Sequence, residues 1–574
     1  MFQPPLEHYA ILADLHTAPL ISRRGSIDWL CLPRFDSAAV FSALLGRPED
    51  GRWLMAPIDG EVVSRRYLGD TFILQTAWRT PTGEAVVTEY MPQSNERADL
   101  IRTVQCTRGE VVIEHELIMR FDYGRLKPWV RKVRETDGGQ ALLAVGGPDA
   151  LVLHGPLLHP EGDTHRGEFR LARGEEATWS LTWTNSWDRY PPPHHSREQL
   201  EQTRLMWQDW ADQITDDDFM VRRSLLVLKA LTHVETGGIV AAATTSLPEY
   251  FGGERNWDYR FVWLRDSAFT IETVVEHGLA DRAWRDWLLR TIAGGHENLR
   301  IMYGIGGERL DAGDEKQLPH LAGYWDSRPV RIGNGAAEQY QADVVGEVMV
   351  ALHKLRQANV PDDAFSWSLQ KELLTFQEKR FDDKDHGIWE MRGDLHHFTH
   401  GRVLMWAAFD RGVRGVREFG HDGPADHWQN LADRLRAEVD EHGFNSGINS
   451  FTQTYDNTEV DASLLVLPQV GFCDWDDPRM LGTVARIERD LVDEHGFVHR
   501  YRTEDGMDGL EGGEYPFLIC TFWLATQYAH TGRLAEAEAI YDRLVQLGGD
   551  LGLLSEEYDT EHQRLAGNMP QAFS

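Results

Sequence analysis

A change of period divides this chain. Up to about residue 190 the apolar side chains fall in β-rich runs with partial alternation: Thr71-Phe-Ile-Leu-Gln-Thr-Ala-Trp78, Glu84-Ala-Val-Val-Thr-Glu-Tyr90, Val111-Val-Ile-Glu-His-Glu-Leu-Ile118 and Thr178-Trp-Ser-Leu-Thr-Trp-Thr184. A period of two is that of a strand with one buried face. Turn residues such as Pro81-Thr-Gly83 and Asp137-Gly-Gly139 separate the runs with no helical stretch between them. That pattern predicts an antiparallel β-sandwich over residues 1–195. Pro191-Pro-Pro-His-His195 is a stiff spacer that closes it, and a helical linker is expected over 196–217. From Asp218 the stripes are helical: Val221, Leu225, Leu228 and Thr232 share one face, as do Trp284, Trp287, Leu288 and Thr291. Further helices are expected near 338–358, 363–380, 401–418, 424–442, 458–468, 477–491, 516–531 and 533–547, about eleven in all. Long loops at 301–335 and 495–515 join some of them. Helices linked this way predict a closed ring of helix hairpins over 218–574.

At 574 residues the chain exceeds one core. No apolar run approaches the roughly 20 residues of a membrane span, and Met1 to His8 lacks the basic and apolar regions of a secretory leader. Cys31, Cys106, Cys473 and Cys520 lie far apart with no CxxC, so neither a disulfide framework nor a zinc site is expected and a reducing cytoplasm fits. Asp and Glu outnumber Lys and Arg by 91 to 58, a net charge of −33. Nucleic acid and anionic membrane surfaces are repelled, leaving a neutral or cationic partner. The cluster Asp382-Asp-Lys-Asp-His386 lacks metal-ligand spacing and is expected as solvated loop charge. No metal or cofactor is expected.

The stretch Arg255-Asn-Trp-Asp-Tyr-Arg-Phe-Val-Trp-Leu-Arg-Asp266 sets four aromatic rings among Arg and Asp side chains. Rings stack on the apolar faces of sugars, and fixed carboxylate and guanidinium groups bind vicinal hydroxyls in two directions. Arg265 and Asp266 also suit a plain buried ion pair at a helix start. Sugar chemistry gains weight if carboxylic acids converge on the same place, because glycoside hydrolysis needs one protonated and one ionised carboxyl in unlike environments. Glu390 follows Trp389 and Ile388, which desolvate it and favour the neutral acid. Glu556 lies in Leu554-Ser-Glu-Glu-Tyr-Asp559, where repulsion from Glu557 raises its pKa, so hydrogen bonds must hold it ionised if it is the base. Glu338 is either a first-turn acid favoured by the helix dipole or an auxiliary polar contact. Tyr303, Tyr324 and Trp325 are either loop packing or the subsite of a leaving sugar.

Five motifs carry a resemblance: Gly25-Ser-Ile-Asp-Trp-Leu-Cys-Leu-Pro-Arg-Phe-Asp36, Trp263-Leu-Arg-Asp266, Gly387-Ile-Trp-Glu390, Tyr515-Pro-Phe-Leu-Ile-Cys-Thr521 and Ser555-Glu-Glu-Tyr-Asp559. Together they resemble the bacterial members of glycoside hydrolase family 15, the glucoamylase and trehalase-like group, nearly end to end. The resemblance implies an N-terminal β-sandwich with an (α/α)6 barrel and exo-acting hydrolysis with inversion. By motif it implies Glu390 as general acid and Glu556 as general base, with Arg265 and Asp266 gripping the non-reducing-end glucose. Trp263, Trp389 and Arg502 are further expected contacts. Similar proteins run on into a final helix where this chain has Gly567-Asn-Met-Pro-Gln-Ala-Phe-Ser574, so the barrel is expected to lack its twelfth helix or to close in another way.

The expected activity is an inverting exo-α-glucosidase releasing β-glucose from short α-glucosides, with trehalose, isomaltose-type α-1,6 and maltose-type α-1,4 linkages all open. An inverting phosphorylase would use phosphate as nucleophile and place cations where Glu556 stands. A non-catalytic glucan-binding protein would keep the aromatic pocket without needing both carboxylates.

Overall fold

The computed structural model describes residues 3–574 apart from 135–138, 194–196, 294, 296–298 and 504–505. The expected turn at Asp137 and the His194–Ser196 end of the spacer lie outside the described residues. The chain forms two compact units, one of residues 1–235, 318–330 and 548–553, the other of 236–317, 331–547 and 554–574.

The first unit is an antiparallel assembly of fifteen strands. Five define its layers: β1 (Arg52–Pro57), β2 (Gly83–Tyr90), β3 (Ala98–Ile118), β4 (Thr164–Ala172) and β5 (Glu176–Asn185). The first half of β3 pairs with β2 and β5, Val104 lying opposite Val87 and Ala177. Its second half pairs with β1 and β4, Ile113 lying opposite Pro57 and Phe169. The register slips between them, where Arg108 faces Glu84 but Cys106 faces Ala85. Two residues against one is a bulge, which bends a strand and sharpens its twist. Gly109 (φ +64°) completes the bend, and a Cβ there would meet the Thr82 carbonyl oxygen at 2.1 Å. One long strand thus passes from one layer to the other, and Trp29, Trp53 and Trp179 fill the core. Full burial of each large apolar side chain is worth roughly 1.5–3 kcal/mol.

The expected linker is helix α1 (Arg197–Ala211), which buries Gln199, Thr203, Trp207 and Ala211 at four-residue spacing. Trp207 stands edge-on to Phe72 at 5.0 Å, which holds α1 inside this unit. Helix α2 (Phe219–Ala230) is N-capped by Asp218, which accepts from the Met220 and Val221 amides at 2.8 and 3.1 Å.

The second unit holds α3 (Leu264–Glu276), α4 (Ala283–Ile292), α5 (Val344–Gln357), α6 (Ala364–Lys379), α7 (Thr399–Phe419), α8 (Ala425–Glu438), α9 (Pro478–Asp490), α10 (Leu518–His530) and α11 (Leu534–Leu547). From α5 to α8, more and less buried helices alternate along the chain. Twelve of the fourteen residues of α5 are buried, against three of the fourteen of α11. That inner–outer alternation is the wall of an (α/α)6 barrel. Two expected helices differ. The 458–468 segment supplies only a buried 3-10 turn, Ala462–Val466, because Asp461 caps it and Pro468 follows. Residues 335–338 form a separate 3-10 turn before α5. After α11 comes a hairpin, Glu557–Asp559 with Arg564–Ala566, and no further helix follows among the described residues. No helix among the described residues is long and apolar enough to cross a membrane.

Candidate active site

The Trp263-Leu-Arg-Asp266 motif opens α3, with Trp263 at the N-cap position and Asp266 in the first turn, where a negative charge suits the helix dipole. The Gly387-Ile-Trp-Glu390 motif is a tight turn. The buried Asp385 carboxylate accepts from the Gly387 amide at 2.5 Å, Gly387 takes φ +67°, and the Met391 amide donates to the His386 carbonyl at 3.0 Å. The turn leaves Glu390 at φ +60°, a strained backbone for a non-glycine residue and one that clusters at functional sites. Asp385 was expected as solvated loop charge. It is fully buried, while Asp382 and Asp383 are exposed.

The two motifs meet. Tyr259, Trp263, Arg265, Asp266, Ile388, Trp389, Glu390, Arg500, Phe517, Gln571 and Phe573 line one hollow. Arg265 Nη1 donates to the Ile388 carbonyl at 2.7 Å and Nη2 to Glu390 Oε1 at 3.3 Å, with Asp266 Oδ2 3.2 Å away. The Arg265–Asp266 pair is thus a buried ion pair that also lines the hollow. The rings of Trp389, Phe517 and Phe573 pack in sequence, at 6.1 and 5.8 Å. The free volume between these side chains is about 20 Å³, room for one water molecule, so a sugar ring must displace part of the lining.

Burial lifts the Glu390 carboxyl to about 7, Arg265 opposing and Asp266 reinforcing the rise. Glu390 thus keeps its proton up to about pH 7. Glu556 is not itself in the lining. It is fully buried behind Tyr259, whose hydroxyl favours its ionised form, and its Oε2 accepts from the Asn568 amide at 3.3 Å. Glu556 Oε1 makes no hydrogen bond to a described residue. Burial and then the charge of Glu249 lift Glu556 to about 8.

Behind Glu556 lies a buried acidic group that the sequence did not foretell. Arg500 Nη2 donates to Glu249 at 2.8 Å and also to Glu514, whose other oxygen takes Nε at 2.9 Å. Glu557 stands 3.7 Å from the same guanidinium, and neither of its oxygens is hydrogen-bonded among the described residues. Glu557 is pushed well above its ordinary pKa by burial and by Glu249 and Glu556. Arg500 is already committed to Glu249 and Glu514, so the remaining proton belongs on unsupported Glu557 before hydrogen-bonded Glu556.

Other expected contacts lie elsewhere. Arg502 lines a separate cavity and pairs with Glu459 at 3.6 Å; Arg500, two residues earlier, lines the hollow together with Arg265. Glu338 ends the 335–338 turn, apart from α5, is half exposed and pairs with Arg300 at 3.3 Å. Tyr324 and Trp325 belong to the first unit, where Tyr324 is fully buried and donates to the Pro4 carbonyl at 2.8 Å. Tyr303 is likewise buried, edge-on to Trp287 at 6.1 Å. Gln571 and Phe573 carried no signal in a sequence read alone.

Comparison with known proteins places this geometry. Residues 216–574 match the model of glycosyl hydrolases family 15, and residues 2–165 that of a trehalase-like N-terminal domain. A Mycobacterium tuberculosis protein named trehalase is 37% identical, the match covering 100% of this chain and 88% of that protein. A Thermoplasma volcanium trehalase is 32% identical, over 100% of this chain and 92% of the relative. Among solved structures, a bacterial glucoamylase complexed with acarbose superposes with a TM-score of 0.68 at 12% identity, covering 100% of this chain and 94% of that one.

Proposed function

The chain belongs to glycosyl hydrolases family 15 and is a glycoside hydrolase, and from that premise we propose that it hydrolyses trehalose with inversion. The observation that carries the mechanism is a buried carboxyl in the hollow, Glu390, with a second buried carboxyl, Glu556, held by the Asn568 amide. Glu390, kept neutral by burial, protonates the bridging oxygen. Glu556, oriented by Tyr259 and the Asn568 amide, takes a proton from the attacking water, which adds to the anomeric carbon as the bond to the leaving glucose breaks. Arg265 and Asp266 hold the hydroxyls of the glucose being released, and Trp263 and Trp389 wall it. The choice of trehalose among α-glucosides rests on the relatives' names.

Burial lifts Glu390 to about 7 and Glu556 to about 8, so both carboxyls titrate in the neutral range. Activity then follows a bell centred between the two values. Purified protein incubated with trehalose, isomaltose, maltose and maltotriose should release glucose fastest from trehalose. Preference for another member of that set would reject the substrate, and release of glucose 1-phosphate only with added phosphate would reject hydrolysis.

A further inference from the structure

The proposed chemistry uses no imidazole, yet two buried histidines meet in the first unit. His16 sits in the turn between the paired strands Tyr9–Ile11 and Leu20–Ser22, and His233 in the segment that follows α2. Their rings stand edge-on with centroids 5.0 Å apart, and they are 8% and 1% exposed. Glu235, two residues beyond His233, is on the surface. One donor atom from each of the three side chains lies within 4.8 Å of the other two. All three residues belong to the first unit.

The turn holds His16 firmly. Leu15 takes φ +67°, a strained backbone for a non-glycine residue. Asp14 Oδ1 accepts from the His16 and Thr17 amides, both at 2.9 Å, and the Thr17 hydroxyl donates to the Cys31 carbonyl at 2.7 Å. The Phe35 amide donates to the His16 carbonyl at 2.9 Å. The Val234 amide donates to the Leu15 carbonyl at 3.0 Å, which ties the turn to the segment that carries His233 and Glu235.

The imidazole of His16 is oriented as well. Its Nδ1 lies 3.1 Å from the Asp14 carbonyl oxygen, which can only accept, so Nδ1 carries the proton and Nε2 keeps its lone pair. That Nε2 is buried and meets no hydrogen-bond partner among the described residues. Plain edge-on packing accounts for the burial of both rings but leaves this lone pair unsatisfied, which is costly. A coordinated cation would satisfy it. Histidines that bind metals almost always give their other ring N–H to a backbone carbonyl or a carboxylate, as His16 does to Asp14.

Two imidazole nitrogens and one carboxylate oxygen suit a d-block ion such as Zn²⁺; Ca²⁺ and Mg²⁺ prefer oxygen alone. Tetrahedral zinc sets its nitrogen and oxygen ligands about 3.4 Å apart. The three donors therefore need to close by roughly an ångström, and the exposed Glu235 side chain can move that far. Its place on the surface also gives an ion a way in.

We propose that His16, His233 and Glu235 bind one ion of the zinc class, which clips the turn after Ile11 to the segment after α2. The site stands apart from Glu390 and Glu556 and does not depend on the hydrolase reading.

The test titrates metal-stripped wild type, His16→Gln and Glu235→Gln with Zn²⁺ against a chelating dye, and with Co²⁺ followed by visible absorption. Wild type should take up one Zn²⁺, and Co²⁺ should give the visible bands of a nitrogen-ligated ion. Even a group that only orients a ligand is worth about 10–100-fold in affinity. Zn²⁺ should therefore bind at least about tenfold more weakly to Glu235→Gln and at least about a hundredfold more weakly to His16→Gln. Saturating Zn²⁺ should raise the thermal midpoint of wild type and leave that of His16→Gln unchanged. Glu235→Gln alters only a surface side chain, so its weaker binding cannot come from a lost fold. Wild type that takes up no Zn²⁺, or an affinity that survives both substitutions, would overturn the site.

Discussion

The two units treat most of their buried charge differently. In the β unit three buried acids each have a guanidinium: Arg102 with Glu89 at 2.6 Å, Arg52 with Glu116 at 2.7 Å, Arg97 with Asp99 at 2.5 Å, while Asp14 accepts from the His16 and Thr17 amides. Asp28 instead accepts from the hydroxyls of Tyr9 at 2.8 Å and Ser26 at 2.5 Å. In the helical unit, Asp343, Glu347, Asp385, Glu390, Glu556 and Glu557 are all buried with raised pKa values. The cations named against them are chiefly Arg265 and Arg500. One-to-one pairing limits the cost of burial and supports a fold. A surplus of carboxyls over cations keeps protons in place near neutral pH, which acid–base chemistry needs and a purely structural core does not.

Substitutions separate those two uses of charge. The largest effect is expected at the chemistry: Glu390→Gln and Glu556→Gln should each lower kcat on trehalose by about 10²–10⁴-fold, with unfolding unchanged. Full activity in both would erase the functional half of the contrast. In the β unit, Glu89→Ala leaves fully buried Arg102 without its partner. It should cost about 3–5 kcal/mol in denaturant unfolding while the folded fraction turns over normally.

A smaller effect concerns pH. Asp343 is raised from 3.8 to about 6 by burial. The folded state therefore holds a proton that the unfolded chain has released. Its stability contribution is fully present below the unfolded value and is lost as pH rises through about 6, by about 3 kcal/mol in all. Asp343→Asn should flatten the fall in unfolding free energy between pH 4 and 7; an unaltered slope would contradict the shift. The smallest effect is at Glu249, whose charge helps to raise Glu556. Glu249→Gln should move the midpoint of the kcat profile toward acid by a fraction of a pH unit, and a shift toward alkali would reverse the assigned influence.

Much of this was legible in the sequence. Period two and period 3.6 located the layers, because each reports which face is buried, and α6, α8 and α9 begin within a residue of expectation. Trp263, Arg265, Asp266, Trp389 and Glu390 stand together because their motifs are short and each forms one turn. Tyr324 and Trp325 suited loop packing and sugar contact equally, because an aromatic loop residue looks the same in sequence whether it packs or binds. Arg500 and Arg502 differ only in which way each side chain leaves a bent segment, which periodicity does not encode. Gln571 and Phe573 reach the hollow through the terminal hairpin, a tertiary event with no local signature. The excess of acid around Arg500 was hidden for the same reason, since Glu249, Glu514 and Glu557 come from distant parts of the chain.

The central claim is that Glu390 and Glu556 act as acid and base across a sugar, rather than as acid and nucleophile. The most direct measurement is the anomeric composition of glucose in the first minutes of trehalose cleavage, read by proton NMR before mutarotation. Inversion at one anomeric carbon predicts α- and β-glucose in equal amounts. Release of α-glucose alone would show retention and contradict the assignment.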